Sequence, residues 1–494
     1  MSNKTTMIER NYTAYYDFIV VVLGRIISAC IALMAIKAVT MFLTPEEFGR
    51  LSLIVMVQTF CGLLLISPIS QYISRNTHEW WSKGTLKHKL LLYQYYLLFI
   101  SLIGVGGVLL LGHYIEMHLS LWLCVAMFTM VMAGTWSPLL AWILNLIGFR
   151  VASVLCVIFG ALVGLLASLL FVQLYPNSAA WFSGQAFGMV VGAIFAWRFL
   201  FNKKELSTIN ESNIFTDHRS EMASYCIPLA AATGAMWLQF SGFRIVIETY
   251  WGLDKLGFIS LGLLLANQVW SMIESLATQF LHPFFYKKIS QNRELYSEEA
   301  LSDLLNTIGP IYVALLGITI IAGPLLVFLL VDEQFSSISK FVVMGMIMES
   351  CRVLANLFGN AAQITKKTSS MIMPYLVGSF VVFLLLFYLG MQDFGVSYAG
   401  FSLVIGALSM LLIMVLAMFK QVSFLLDIKR WALGGLVTVS FIMLSNWSIV
   451  VENWIDALVA ICTVLTLFGV LLVMLLWKNP ALERLLSVKI RLEQ

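Results

Sequence analysis

The sequence predicts an all-α polytopic membrane protein with fourteen transmembrane helices, arranged as two pseudo-symmetric six-helix bundles plus two extra helices. Three observations predict this fold class: the composition, apolar runs of spanning length, and the distribution of basic residues along the chain. Of the 494 residues, 60% are hydrophobic and 11% are charged, and the mean hydropathy is +0.90. A soluble chain carries about 25% charged residues, and so few polar residues cannot cover a soluble core. A soluble enzyme and an intrinsically disordered chain are therefore excluded.

Apolar runs of spanning length recur along the whole chain. A helix needs about 20 mostly apolar residues to cross about 30 Å of hydrocarbon. We place the spans at 17–42, 51–72, 90–112, 118–145, 150–174, 178–200, 222–249, 256–284, 303–331, 338–365, 368–390, 395–420, 430–450 and 455–477. The predicted organisation is an N-terminal bundle of helices 1–6 (1–200), a cytoplasmic linker (201–221), a C-terminal bundle of helices 7–12 (222–420), and helices 13–14 with a short amphipathic cytoplasmic tail (421–494).

The basic residues supply an independent test of the span count. Cytoplasmic loops carry the excess of Lys and Arg in membrane proteins. With the N-terminus in the cytoplasm, 23 basic residues fall in cytoplasmic segments, and only Arg50, Lys255 and Lys340 fall in outer loops. One missed or extra span would reverse the side of every later loop. The split therefore favours fourteen spans with both termini in the cytoplasm.

An internal repeat predicts the two bundles. LTPEEFGRLSLI at 43–54 aligns with WGLDKLGFISLG at 251–262, which matches Gly49 with Gly257 and Ser52 with Ser260 at an offset of 208. Six predicted spans separate the copies, so both enter the membrane in the same direction. This indicates a pseudo-two-fold axis along the membrane normal, as in transporters built of parallel repeats. The match is short, and a chance match is the alternative.

Four cations lie inside predicted spans: Arg25, Lys37, Arg244 and Arg352. A charged side chain at mid-membrane costs about 2.5–3.5 kcal/mol on insertion scales, so each one needs an explanation. We expect them to form a cationic, substrate-binding cleft between the bundles, where low-dielectric walls strengthen the attraction for a large anion. The structural alternatives are that Lys37 and Arg244 snorkel to the outer surface, and that Arg352 pairs with Glu349 on its own helix.

Two carboxylates in the predicted C-terminal bundle, Glu274 and Glu349, are candidates for ion coupling. A hydrogen-bonded structural role for Glu274 and neutralisation of Glu349 by Arg352 are the alternatives. The six histidines lie in loops or at span ends without metal-ligand spacing, and no phosphate-binding G-x-x-x-x-G-K-[ST] motif occurs. We therefore expect no enzyme activity, no cofactor and no bound metal. Nucleic-acid binding is excluded because no basic stripe interleaved with aromatic residues occurs.

Four stretches together carry a family resemblance: LTPEEFG at 43–49, SQYISR at 70–75, YCIPLAAA at 225–232 and FRIVIETYWGLDKLG at 243–257. They resemble the bacterial polysaccharide (O-antigen type) flippases of the multidrug/oligosaccharidyl-lipid/polysaccharide exporter superfamily, which also holds MATE multidrug exporters and the lipid II flippase. Where the family often has an acidic residue before the basic residue late in span seven, this chain has Phe243 before Arg244.

The resemblance implies a function. It implies alternating-access translocation of an undecaprenyl-pyrophosphate-linked oligosaccharide repeat unit from the cytoplasmic to the periplasmic leaflet of the bacterial inner membrane. The implied partners are this lipid-linked anionic oligosaccharide, membrane lipids, and, as candidates, a polysaccharide polymerase and a chain-length regulator. No nucleic acid is expected.

Two other functions stay open. A MATE-like cation-coupled drug exporter would need acidic residues lining the N-terminal bundle, and predicted spans one to six hold none in their interiors. A membrane glycosyl-polymerase or ligase would present a large external loop, and the longest predicted outer connection, 43–50, is short.

Overall fold

The computed structural model describes residues 2–115, 120–201, 219–289, 294–365, 367–445 and 453–487, and over these ranges the chain consists of helices joined by short turns and loops. The α-helices are α1 (Ser2–Phe42), α2 (Pro45–Phe60), α3 (Ser67–Ser82), α4 (Leu86–Tyr114), α5 (Leu121–Leu146), α6 (Arg150–Leu174), α7 (Ser178–Phe201), α8 (Arg219–Trp237), α9 (Phe243–Ile289), α10 (Glu294–Leu330), α11 (Ser339–Ile364), α12 (Ile372–Met391), α13 (Val396–Phe419), α14 (Ile428–Ser445), α15 (Trp454–Leu476) and α16 (Pro480–Ser487). Two π-helical segments, Cys61–Ile66 and Leu238–Gly242, and two 3₁₀ segments, Glu333–Ile338 and Thr368–Met371, complete the described helices. Most of the predicted linker 201–221 lies outside the described residues, as does the end of the predicted tail from 488 onward.

The helices pack into two compact units, Met1–Trp237 and Leu238–Gln494. The boundary falls inside the predicted seventh span, because α8 packs within the first unit. Trp237 Nε1 donates to the carbonyl of Met56 at 3.1 Å, and the rings of Trp237 and Phe60 lie 5.0 Å apart. Gly234 allows the close approach, since a Cβ at this position would lie 2.6 Å from Leu64 Cδ1.

Twelve helical stretches among the described residues are long and apolar enough to cross a membrane. They match the predicted spans with two differences. The stretch Met222–His282 runs for 61 residues and contains the two predicted spans 222–249 and 256–284. The predicted span 430–450 is represented by α14, which has 18 residues and is not among the twelve, and residues 446–452 lie outside the described residues. The prediction of an all-α multi-pass membrane protein is confirmed.

Gly252 breaks the long stretch into two helical segments. Its backbone has φ 83° and ψ 170°, inside the residues assigned to α9. Glycine adopts a positive φ without steric cost because it has no Cβ. A continuous helix of 61 residues would be about 90 Å long, three times the hydrocarbon thickness. The break lies in the WGLDKLG turn that the sequence predicts between spans seven and eight.

The first π-helical segment, Cys61–Ile66, directly precedes Ser67 and Pro68. Side chains of other helices donate hydrogen bonds to backbone carbonyls in and next to this segment. Proline has no N–H to donate, so a backbone acceptor on the preceding turn loses its partner. Tyr96 OH donates to the carbonyl of Leu65 at 2.8 Å, and Cys226 Sγ lies 3.6 Å from the carbonyl of Pro68. The bulge is thus stabilised by side chains of α4 and α8.

Small residues let α6 and α7 cross with their backbones in contact. Gly160, Gly164 and Ser168 on α6 face Gly184, Gly188 and Gly192 on α7. A Cβ on Gly188 would lie 2.3 Å from Gly164 Cα, and one on Gly184 would lie 2.2 Å from Ser168 N. Small residues at four-residue spacing are typical of close helix pairs in membranes.

The last three helices attach to α10 in the second unit. Ala314, Ile318 and Ile321 of α10 form a buried cluster with Phe441 of α14 and Val464 of α15. The hydroxyl of Thr438 on α14 also donates to the carbonyl of Val313 at 2.5 Å.

A buried carboxylate connects α10 to the C-terminal helix α16. Asp303 is fully buried and accepts hydrogen bonds from Lys288 Nζ at 3.1 Å and from Arg484 Nη2 at 2.6 Å. The hydrogen bond to Asp303 raises the pKa of the Arg484 guanidinium above its ordinary value. Buried charges are tolerated when they are paired and hydrogen-bonded, and Asp303 meets both conditions.

Candidate functional site

An ionic cluster joins α9 and α11 within the second unit. Arg352 Nε donates to Glu349 Oε2 at 2.6 Å, and Arg352 Nη1 donates to Glu274 Oε2 at 3.1 Å. The side chains of Arg352 and Glu349 are 11% and 7% exposed, whereas that of Glu274 is 26% exposed. Arg352 therefore holds two carboxylates, one from each helix.

Amide and phenol groups complete the cluster. Asn356 Nδ2 donates to Glu274 Oε1 at 2.8 Å, and Asn267 Nδ2 donates to Glu349 Oε2 at 3.1 Å. The hydroxyl of Tyr375 on α12 lies 3.4 Å from Asn356 Oδ1. Each carboxylate thus has one amide donor in addition to the guanidinium.

Helical spacing explains which cluster members share a helix face. Residues three, four and seven apart lie on the same side of a helix. Asn267 and Glu274 are seven apart on α9, and Glu349, Arg352 and Asn356 are three and four apart on α11. The contact between Glu349 and Arg352 that this spacing predicts is present. The sequence analysis missed Asn267 and Asn356, although each lies on the same helix face as a charged member of the cluster.

The charge balance of the cluster determines what it can do chemically. Two carboxylates face one guanidinium, so the cluster carries one excess negative charge when both carboxylates are ionised. An uncompensated charge inside a membrane protein is costly, and a proton or a cation would remove it. The guanidinium of Arg352 is already engaged by both carboxylates. This leaves it less suited to an anionic substrate than a cation without a partner.

Two of the four predicted cations lie on α1 in the first unit. Arg25 is exposed on that unit, whereas the neighbouring Gly24 is buried, and a Cβ on Gly24 would contact Val154 of α6 at 2.2 Å. Lys37 is half-buried. Among the described side chains, no carboxylate lies within ion-pair distance of Arg25.

Arg244 lies in the second unit, two residues after the second π-helical segment. Its Nη1 lies 3.4 Å from the carbonyl of Phe240, and its guanidinium lies 5.3 Å from the centre of the Phe243 ring. Its Nε is buried and has no hydrogen-bond partner among the described residues, and the same holds for Oε2 of Glu248. The aromatic residue that replaces the acidic one before Arg244 therefore makes a cation–π contact with it.

The described residues contain no group of three or more His, Cys, Asp or Glu side chains arranged to hold a metal ion. The ionic cluster supplies two carboxylates and two amides, so a monovalent cation or a proton fits its donor set better than a transition metal, which favours imidazole or thiolate.

Comparisons with known proteins place the fold. No protein-family model and no curated protein sequence matches the chain. Among solved structures, the lipid II flippase MurJ in an inward closed conformation matches with a TM-score of 0.60 and 13% identity, over 93% of this chain and 99% of that chain. A multidrug resistance MATE family transporter of the MOP superfamily in an inward-facing conformation matches with a TM-score of 0.50 and 13% identity, over 84% of this chain and 96% of that chain.

A MATE protein in a bent conformation also matches, with a TM-score of 0.50 and 13% identity, over 86% of this chain and 96% of that chain. At these identities the similarity shows the fold alone. The expected fold is therefore confirmed as similar to those of MATE transporters and a lipid II flippase, whereas the polysaccharide substrate is a finer assignment. The chain is a multi-pass membrane protein whose fold is similar to those of a lipid II flippase and of MATE transporters.

Proposed function

We propose that this protein translocates an undecaprenyl-pyrophosphate-linked oligosaccharide repeat unit from the cytoplasmic to the periplasmic leaflet of the bacterial inner membrane by alternating access. The observation that carries the proposal is the fold match to a lipid II flippase over nearly the whole of both chains. The four sequence stretches that resemble polysaccharide flippases supply the substrate class. In this proposal the protein moves its substrate without making or breaking covalent bonds.

The charges of the first unit favour an anionic cargo over a cationic drug. Between residues 18 and 201 the acidic residues are Glu46, Glu47, Glu79 and Glu116. The first three lie near helix ends, and Glu116 lies outside the described residues. Glu46 and Glu47 bind Arg50. A MATE-like cation exporter, the alternative, would need a carboxylate deep in these helices, where the chain instead has Arg25 and Lys37.

The predicted site residues take distinct roles in this proposal. Arg25, Lys37 and Arg244 bind the phosphate groups, because guanidinium and ammonium groups form charge-assisted hydrogen bonds to phosphate. Arg352 acts as the counter-charge that positions Glu274 and Glu349. Glu274, the more exposed carboxylate, couples transport to the uptake and release of a cation or a proton.

The proposal includes fourteen membrane crossings with both termini in the cytoplasm. Gly252 divides the longest apolar stretch into two helical segments, and α14 supplies about 27 Å of helix at 1.5 Å per residue. Two parallel six-helix repeats, a polysaccharide polymerase and a chain-length regulator as partners, and the inner membrane as location belong to the same proposal.

Substitution of Arg25 tests the function. We expect Arg25→Ala to abolish surface polysaccharide in a complemented deletion strain while membrane levels stay normal, and Arg25→Lys to retain part of the activity. Lysine keeps the charge but lacks the bidentate fork that suits phosphate. Ile26→Ala, at the next exposed position of α1, is the matched control and should be fully active.

Three results would contradict the proposal. Full activity of Arg25→Ala would remove Arg25 from the mechanism. Normal surface polysaccharide in the deletion strain, combined with increased sensitivity to cationic drugs, would favour the exporter. Loss of the alanine variant from the membrane, measured by blotting, would assign Arg25 a structural role.

A further inference from the structure

One end of the first unit carries a row of aromatic rings with a cation at each end. The guanidinium of Arg75 lies 5.7 Å from the centre of the Tyr225 ring. The Tyr225 and Tyr72 rings are 6.1 Å apart, and the Tyr72 and Trp80 rings are 6.2 Å apart. Lys89 Nζ lies 5.9 Å from the centre of the Trp80 ring. We call these five residues the Arg75–Lys89 row.

The row is built where α3 ends and where α4 and α8 begin. Tyr72 and Arg75 are three apart on α3, within the SQYISR stretch, so both side chains lie on one helix face. Under the proposed topology this end of the unit is cytoplasmic. Trp and Tyr side chains are enriched at the level of lipid headgroups, so we expect the row at the depth of the lipid phosphates.

Arg75 and its basic neighbour Lys83 differ in the groups that their charges contact. Both side chains are exposed. Lys83 Nζ binds Glu79 Oε1 at 2.5 Å. Among the described residues no carboxylate lies within ion-pair distance of Arg75. The guanidinium is held by a ring instead, and a ring leaves its N–H fork free to donate.

Three basic residues of the second unit are paired with carboxylates instead. Lys288 and Arg484 are both bound by Asp303, and Arg430 Nε lies 3.3 Å from Asp427 Oδ2. These cations are compensated by carboxylates of the same unit. Arg75, by contrast, is positioned by an aromatic ring and has no carboxylate partner among the described residues. Its positive charge is therefore available to an anionic ligand.

We propose that the Arg75–Lys89 row is a docking site for the pyrophosphate headgroup of the lipid-linked substrate at the cytoplasmic membrane surface, occupied before translocation. The site rests on the proposed function, and it adds a loading step at a place distinct from Arg25. We assign a pyrophosphate to the site because of charge complementarity, since the guanidinium of Arg75 can donate two parallel hydrogen bonds to phosphate oxygens. General attraction to anionic phospholipid depends on the number of basic residues near the surface, so it predicts equal effects for Arg75 and Lys83.

Binding to the purified full chain tests the site. The chain is placed in nanodiscs of phosphatidylethanolamine, and the dissociation constant for undecaprenyl pyrophosphate is measured by thermophoresis. We expect Arg75→Gln to raise this constant about tenfold, the factor that corresponds to about 1.4 kcal/mol. Tyr225→Leu should weaken binding in the same direction, and Arg75→Lys should weaken it less. Lys83→Gln, which removes one exposed charge at the C-terminal end of the same helix, should leave the dissociation constant unchanged.

Each other outcome overturns the site. If Arg75→Gln elutes as a single species and binds undecaprenyl pyrophosphate with wild-type affinity, the row is not the docking site. Equal losses for Arg75→Gln and Lys83→Gln would assign the effect to net charge. Equal competition by phosphatidylglycerol would assign the row to bulk anionic lipid. Normal surface polysaccharide in the deletion strain would contradict the proposed function, whereas loss of the Arg75 effect alone would contradict only the docking site.

Discussion

Arg352 shows how a single residue can be charged inside a predicted span and still be stable. Its guanidinium is held by Glu349 on the same helix and by Glu274 on α9. Removing one member of a buried ionic network costs more than the network itself contributes, because the remaining charges lose their compensation. The free energy of unfolding should therefore depend more on Arg352 than on any exposed cation of the second unit.

We expect Arg352→Ala to lower the free energy of unfolding by about 3–5 kcal/mol, since two carboxylates remain without a cation. Thermal unfolding of detergent-solubilised protein, followed by size-exclusion fluorescence, measures the effect. Lys340→Ala removes an exposed cation and is the matched control. The combined change Glu349→Gln and Arg352→Gln should cost less than Arg352→Ala alone. A double variant less stable than Arg352→Ala would contradict the assigned charge balance.

The sequence analysis could predict the part of this cluster that lies on one helix. The three-residue spacing of Glu349 and Arg352 is visible in the sequence, and so is the same-face position of Asn356. The contact between Glu274 and Arg352, which are 78 residues apart in the chain, depends on how α9 packs against α11. Tyr375 carries no sequence signal for its contact with Asn356, because no periodicity links residues of different helices.

At the scale of helices, the contact between α6 and α7 depends on the absence of side chains. Gly188 and Gly164 bring the two backbones together, and the carbonyl of Gly160 would lie 2.5 Å from a Cβ on Gly188. Backbone atoms cannot move aside as a flexible side chain can. Any added methyl group must therefore separate the helices.

We expect Gly188→Ala to lower the melting temperature, with a loss of about 1–3 kcal/mol, which is typical of overpacking. Gly106→Ala on α4 is the matched control, because a Cβ there meets nothing within 4 Å. Alanine favours a helix over glycine by up to about 1 kcal/mol, so this control should raise the melting temperature. Equal shifts for the two variants would show that the α6–α7 contact contributes nothing to stability.

Hydropathy predicts the helices well, but it does not predict irregularities within them. The WGLDKLG turn follows from the end of one apolar run and the start of the next, and Gly252 breaks the helix there. The π-helical segment at Cys61–Ile66 was not predicted. Pro68 indicates an interruption of the helix, but the form of that interruption depends on donors from α4 and α8. Such tertiary hydrogen bonds leave no periodic pattern in a sequence.

At the scale of the whole molecule, the basic residues predict the topology. Single cysteines at Ser336 and Asp393 should react with a membrane-impermeant maleimide in spheroplasts, and a cysteine at Ser212 should react only after the membrane is permeabilised. The physical reason is the excess of Lys and Arg on the cytoplasmic side. Reaction of Ser212→Cys in intact spheroplasts would overturn both the orientation and the span count.

Composition alone predicts the membrane class of the whole chain, because 60% hydrophobic residues leave no other choice. The division into bundles at the linker 201–221 remains a prediction from loop length. The packing boundary lies at Trp237, since α8 contacts Met56, Phe60 and Leu64 in the first unit. Loop lengths could not predict this boundary, because they carry no information about which neighbour a helix packs against.

The buried carboxylate Asp303 also has a consequence for biosynthesis. Its partner Arg484 is 181 residues later in the chain. At roughly 5–20 residues per second, a ribosome needs about 9–36 s to make that stretch. During this interval α10 is already synthesised, and of the two cations that bind Asp303 only Lys288 exists. Completion of the second unit is therefore a late event of synthesis, and a shortened chain ending before α16 would leave it with Asp303 half-compensated.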